Sequence, residues 1–387
     1  MTALTEALVN ATIHTGDAVL DDAAVLIAGG RIADVCTARD VPAGVPVRDL
    51  GGGVLAPGFI DLQVNGGGGV LFNGSPDVAA LRRIARAHRR FGTTGLLPTV
   101  ITDARDVRRA AVAAVRQALA DGVPGILGLH LEGPHINAER RGVHDARFIA
   151  PPGAPPDADD IALLTALLPH PTLVTLAPEV VPADTIRALA DAGVRVAAGH
   201  TAAAWEEMRA GFAAGVSAVT HLYNAMSQLA GREPGAVGAA LVEDSCRCGI
   251  IVDGHHVHDA AVRLAWKAKP PGTLFLVTDA MPPVGMADGD FTLYGETVTV
   301  RDGRCVSADG RLAGSALDMA TAVRNAVRRI GIPLDEALRM ASTYPARFMG
   351  MDDRRGRIAP GLAADLVHLD DGLRPRATWI AGEMEPC

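Results

Sequence analysis

The chain is predicted to be an α/β protein: a (β/α)8 TIM-like barrel carrying a small β-sandwich module built from both chain ends. Three observations predict it. Eight short apolar runs with strand character alternate with Ala-, Leu- and Arg-rich helical stretches through the middle of the 387 residues. Imidazoles, carboxylates and amides fall where these runs stop, and in a parallel barrel the strand ends form the active face. Both termini carry short alternating segments punctuated by Gly and Asp, the pattern of small antiparallel strands.

In chain order, residues 1–55 and 352–387 are assigned to the β module and residues 56–351 to the barrel. The first part holds Ala24-Val-Leu-Ile-Ala, a Gly29-Gly30 turn and Arg31-Ile-Ala-Asp-Val. The last part holds Ala364-Asp-Leu-Val-His-Leu and Ala377-Thr-Trp-Ile-Ala-Gly382. Barrel strands are expected at 59–64, 95–100, 126–132, 173–178, 194–200, 218–221, 249–253 and 274–279. Helices are expected between most of them, for example at 76–91, 104–120 and 202–215, with 317–330 and 334–340 completing the barrel.

Composition narrows the function. Hydrophobic residues make up 49% and charged residues 21%, ordinary for a globular enzyme, and the net charge is −8 with no Lys or Arg run. Nucleic acid and anionic membrane surfaces are therefore excluded as expected partners. No apolar run is long enough to span a bilayer, and no signal peptide is evident. The cysteines are odd in number and scattered (Cys36, Cys246, Cys248, Cys305, Cys387), which suits reduced thiols in the cytoplasm.

The densest chemistry lies in residues 194–226. One apolar run closes on Gly199-His200, a helical stretch follows, and a second run closes on Thr220-His221. Two imidazoles on neighbouring strand ends can share one metal ion. Glu132, closing His130-Leu-Glu132-Gly-Pro, adds a carboxylate, and this donor set suits Zn²⁺ or another borderline divalent ion with a position open for water. Bound metal lowers the pKa of such a water to roughly 7. Asp279, in Thr278-Asp279-Ala, is then the expected general acid/base. An Asp at a strand end also serves as a helix cap; its place beside three ligand candidates favours catalysis.

These motifs resemble the amidohydrolase superfamily and, more specifically, the N-acetylglucosamine-6-phosphate deacetylase family. The matching stretches include Pro57-Gly-Phe-Ile-Asp-Leu-Gln-Val-Asn-Gly66, Gly128-Leu-His-Leu-Glu-Gly-Pro-His135, Ala198-Gly-His-Thr201, Thr220-His-Leu-Tyr-Asn-Ala-Met226, Gly231-Arg-Glu-Pro-Gly235, Asp253-Gly-His-His-Val257 and Leu312-Ala-Gly-Ser315, in order through nearly the whole chain. His-Leu-Tyr-Asn-Ala-Met together with Gly-Arg-Glu-Pro-Gly is highly specific; a single Gly-His-Thr is not.

The resemblance implies hydrolysis of N-acetylglucosamine 6-phosphate to glucosamine 6-phosphate and acetate by a metal-bound hydroxide. It assigns Glu132, His200 and His221 to the metal and Asp279 to acid/base work. It sets His144 beside the substrate amide, to polarise the carbonyl. Sugar contacts are implied at Gln63, Val143, Asn224, Ala225, Leu312, Ala313 and Gly314. Phosphate contacts are implied at Arg232 and at His256, the latter from the neighbouring subunit of a homodimer. Many superfamily members end strand one with His-x-His and bind two metals; here the positions are Gln63 and Asn65, whose amides are weak ligands. One divalent metal per subunit is expected, Zn²⁺ first, with Fe²⁺, Co²⁺ or Mn²⁺ as alternatives. Other reactions on this scaffold stand beside this reading, namely cyclic-amide hydrolysis or deacetylation of the galactosamine epimer. The chain's only lysines, Lys267 and Lys269, lie outside the strand ends, against a carbamylated-lysine site. A non-catalytic protein that kept the barrel is the remaining alternative.

Overall fold

In the computed structural model, which describes residues 3–151, 154–286 and 289–387, eight parallel strands follow one another in chain order round a single sheet. They are β1 (Phe59–Val64), β2 (Thr93–Ile101), β3 (Leu129–Glu132), β4 (Thr172–Leu176), β5 (Arg195–Ala198), β6 (Val216–Val219), β7 (Arg247–Ile250) and β8 (Leu274–Leu276). A helix follows each: α1 (Val78–Arg89), α2 (Arg105–Ala120), α3 (Ala158–Leu164), α4 (Ala183–Asp191), α5 (Trp205–Ala214), α6 (Gly235–Val242), α7 (Asp259–Ala268) and α8 (Met319–Asn325). Every residue of β1, β2 and β4 is buried, as expected of parallel strands covered on both faces. α1 covers them with one apolar stripe, burying Leu81 and Ile84, and starts on Asp77, whose side chain accepts from the Ala80 amide, whereas α6 is apolar and buried along nearly its whole length.

All eight expected strands are present, and most end earlier than periodicity suggested. β5 stops at Ala198, β6 at Val219 and β8 at Leu276, so His200, His221 and Asp279 lie in the turns beyond. Each of the three has a left-handed backbone, with φ of 48°, 35° and 52°. A non-glycine residue held there costs about 1–3 kcal/mol, a strain that clusters at functional sites. The barrel closes between β8 and β1 through a bridge from Val64 to Ala280, whose carbonyl accepts from the amides of Asn65 and Gly66 at 2.8 and 2.9 Å.

The chain ends share a six-stranded sheet in which Leu366–Leu369, Val54–Pro57 and Thr12–His14 are neighbours, facing a four-stranded sheet from the first fifty residues. Their interior holds Leu8, Val25, Ile27, Leu55, Leu366 and Trp379. Trp379 is fully buried, and its indole N–H donates to Glu6. Trp379→Ala is expected to destabilise the protein by about 3–5 kcal/mol, read as a fall in unfolding midpoint.

One element was not anticipated. Between β8 and α8 the chain forms a four-stranded antiparallel sheet of Phe291–Leu293, Glu296–Arg301, Arg304–Val306 and Leu312–Ser315. Its signals are present in Glu-Thr-Val-Thr-Val-Arg alternation and in the Asp302-Gly303 and Asp309-Gly310 turns. Leu293, Val298, Val300, Cys305 and Ala313 pack on Ile101 and Met281, laying this sheet beside the barrel mouth. The expected helix at 317–330 divides into α8 and a π-helical turn, Ala326–Ile330. No helix of the described residues is long and apolar enough to cross a membrane.

Candidate metal centre and active site

Three donor atoms converge at the carboxyl ends of β3, β5 and β6. Glu132 is the last residue of β3; its Oε1 lies 3.1 Å from Nε2 of His200 and 3.1 Å from Nε2 of His221, and the two Nε2 atoms are 3.1 Å apart. A tetrahedral ion at roughly 2.0–2.1 Å from its ligands separates them by about 3.4 Å, so the trio has the spacing of one shared cation. His200 Nδ1 sits 2.9 Å from the Arg140 carbonyl oxygen. That oxygen can only accept, so Nδ1 carries the proton and the Nε2 lone pair faces the centre, the usual support of a metal-bound histidine. Burial pushes the Glu132 pKa up, but the hydrogen bonds and charges of the two imidazoles outweigh it and hold the carboxyl well below its ordinary range. In the other direction Glu132 outweighs burial at His221 and raises its pKa.

Gln63 and His144 surround this trio. The Gln63 amide donates to both Glu132 oxygens at 3.3 Å, from beneath the centre. His144 packs against His200 with ring centroids 4.2 Å apart and ring planes tilted by 49°, and its Nδ1 lies 2.8 Å from the Thr102 hydroxyl. Glu132, His144 and His200 also offer ligand atoms within 4.8 Å of one another, so His144 stands close enough to share the same charge. Burial, then the His200 imidazole, lowers the His144 pKa well below its usual value and keeps the ring neutral.

Asp279 faces the trio from the β8 turn. Burial, then the charge of Glu132, raises its pKa, which suits a group that must both take and return a proton. The Asn65 amide donates to its Oδ1 at 2.6 Å. One residue earlier, the Thr278 hydroxyl and amide donate to Asp61, which burial pushes up to about 7. β1 thus grips the turn that carries Asp279.

A cavity of about 270 Å³ opens above these groups. Of the residues expected at the substrate, Val143, His144, Asn224, Ala225, His256, Leu312 and Gly314 line it. Gln63 lies buried below, and Ala313 packs into the apolar interior of the antiparallel sheet, because alternate residues of that strand point to opposite faces. Arg232 is exposed on the loop before α6 and lies outside the lining. His256 was expected to act from a neighbouring subunit, yet it lines the cavity of its own chain. Asp253 fixes it there, accepting from His256 Nδ1 at 2.6 Å and from the His255 and His256 amides at 2.8 Å each. Residue reading missed Thr102, Asp253 and the role of Asn65; Asp253-Gly-His-His is an Asx-turn signal that marks the first step of that arrangement.

The Amidohydrolase family model matches residues 54–384, and the NagA composite domain matches residues 7–55. The chain is 45% identical over 342 residues to an N-acetylgalactosamine-6-phosphate deacetylase of Shewanella sp., covering 88% of this chain and 85% of that protein. It is 38% identical over 388 residues to an N-acetylglucosamine-6-phosphate deacetylase of Haemophilus influenzae, covering 97% and 98%. The solved N-acetylglucosamine-6-phosphate deacetylase of Pasteurella multocida superposes with a TM-score of 0.95 at 38% identity over 100% of both chains. A mutant Mycobacterium smegmatis deacetylase in complex with N-acetyl-D-glucosamine-6-phosphate gives 0.90 at 34% identity over 99% of both. The match in sequence over nearly the whole length, and in the eight-stranded frame that brings a glutamate and two histidines together, places the chain in the amidohydrolase family.

Proposed function

We propose that this protein hydrolyses N-acetylglucosamine 6-phosphate to glucosamine 6-phosphate and acetate, with one divalent metal per subunit, Zn²⁺ first. The observation that carries the reading is the convergence of Glu132, His200 and His221 opposite Asp279 in one cavity. A cation held by those three would supply electrophilic polarisation and an acidified water. The protein's own groups do the rest. Asp279 accepts a proton from the attacking water and delivers it to the nitrogen as the carbon–nitrogen bond breaks. His144, its Nδ1 held 2.8 Å from the Thr102 hydroxyl, lines the cavity, where its ring polarises the carbonyl beside the developing oxyanion. Gln63 holds both Glu132 oxygens, as a neutral amide suited to orienting rather than ligating.

His256, fixed by Asp253, is the phosphate contact within the chain. Arg232, outside its own cavity, then meets the phosphate of a second copy, so the reading carries a homodimer. His256→Ala and Arg232→Ala are each expected to raise KM for the phosphorylated sugar about tenfold or more with a smaller change in kcat; an unchanged KM removes that assignment. The five free cysteines support a cytoplasmic location.

Acetate release from N-acetylglucosamine 6-phosphate, before and after chelation, tests the reading; an inert metal-loaded protein rejects it. A second reading, the galactosamine epimer, is favoured by the 45% identity to the Shewanella protein. Comparing kcat/KM for the two sugars decides between them, since rejection of a misplaced hydroxyl depends on the hydrogen bonds the site offers.

A further inference from the structure

Asn65 is only 2% exposed, lines the catalytic cavity and donates through Nδ2 to Asp279 Oδ1 at 2.6 Å. Its backbone amide also donates to the Ala280 carbonyl at 2.8 Å, so both ends of the residue are tied to the turn that carries Asp279. A carboxylate has no proton to give, so the amide must present its NH₂ to Asp279. Its own Oδ1 is then buried with no partner among the described residues. A buried asparagine retained for packing is normally satisfied at both ends, and one left half-satisfied needs a reason other than stability. The surroundings supply one. Asp279 faces the charges of Glu132, His221 and His256, and its turn has a left-handed backbone outside regular strand structure.

We propose that Asn65 is the positioning residue for Asp279: by occupying Oδ1 it fixes the carboxylate's rotation and leaves Oδ2 as the oxygen that carries the proton. The proposal rests on the deacetylase reading. In the step it serves, a water oxygen bonds to the acyl carbon, the carbonyl π pair moves onto its oxygen, and one water proton passes to Oδ2. The carbonyl then re-forms as the carbon–nitrogen bond breaks, the electron pair of that bond stays on nitrogen, and the proton moves from Oδ2 to that nitrogen, releasing the amine and acetic acid, which ionises to acetate.

The test uses metal-loaded full-length protein and two variants, each checked for metal content and unfolding midpoint. Asn65→Ala is expected to lower kcat about ten- to a hundredfold with KM within about threefold of native, the range for losing a hydrogen bond to a charged group. Asn65→Asp keeps the shape but exchanges the donor for a like charge. It is expected to move the acid limb of the kcat–pH profile up by about one unit or more, because adjacent carboxyls share a proton. A packing role would lower the unfolding midpoint and leave that limb in place. An unmoved limb in Asn65→Asp, or kcat within twofold of native in Asn65→Ala, overturns the proposal while native activity upholds the deacetylase reading. A native protein inert toward both epimers overturns both.

Discussion

Asp279→Asn is expected to lower kcat about a thousandfold, within the range for losing a general acid/base, while metal content and KM stay near native. The substitution keeps the shape and the neighbours of the side chain but removes its capacity to take a proton. Burial and the charge of Glu132 raise the Asp279 pKa, so in the native enzyme the sign of the pH effect is set. In the proposed mechanism the ionised form accepts the proton, so activity is expected to fall as pH drops through the raised value, above the range of an ordinary aspartate. Asp279→Asn removes that limb along with the rate. Single-turnover acetate release across pH measures both, and native-like turnover in the variant would end the assignment.

The larger effect is expected at the metal ligands. His221→Ala is expected to abolish stoichiometric metal and to cost more than about a thousandfold in kcat/KM, since it removes one of three donors and leaves Glu132 with a single imidazole. Elemental analysis should find one ion per native subunit and markedly less in the variant; two stoichiometric ions at full activity would contradict the Gln63 and Asn65 reading. Proton competition gives this site its own pH dependence. In the metal-free protein Glu132 raises the His221 pKa, and a protonated ring cannot ligate. Metal affinity therefore falls as pH drops, beginning above the ordinary histidine value, and titration of the apoprotein with Zn²⁺ at several pH values reads the trend.

The site explains an apparent mismatch of charge. A chain with net charge −8 binds a phosphate ester in the proposed reading because recognition is local. Asp253, held at about 2 by the hydrogen bond and charge of His256 against the opposing pull of burial, stays ionised and fixes the imidazole at the cavity wall. Arg232 is solvent-exposed and lies outside the cavity lining, and the proposed reading has it meet the phosphate of a second copy.

Local chemistry was legible from the chain alone. β-α alternation, the strand positions and the convergence of Glu132, His200, His221 and Asp279 follow from hydrophobic period and from what stands where each apolar run ends. In a barrel whose strands follow one another in order, a strand end is an address in space, so nearest-neighbour reading reaches the candidate metal centre. Tertiary structure alone decided the rest. Asn65 meets Asp279 across 214 residues of sequence, at the seam where the first strand closes on the last. His256 turns into its own cavity because Asp253 folds the loop back on it, and Ala313 turns away because strand alternation buries it in a sheet that composition did not announce. Periodicity records which face of an element is apolar; it carries no information about which distant polar groups that element meets, or which of them are left half-satisfied for chemistry.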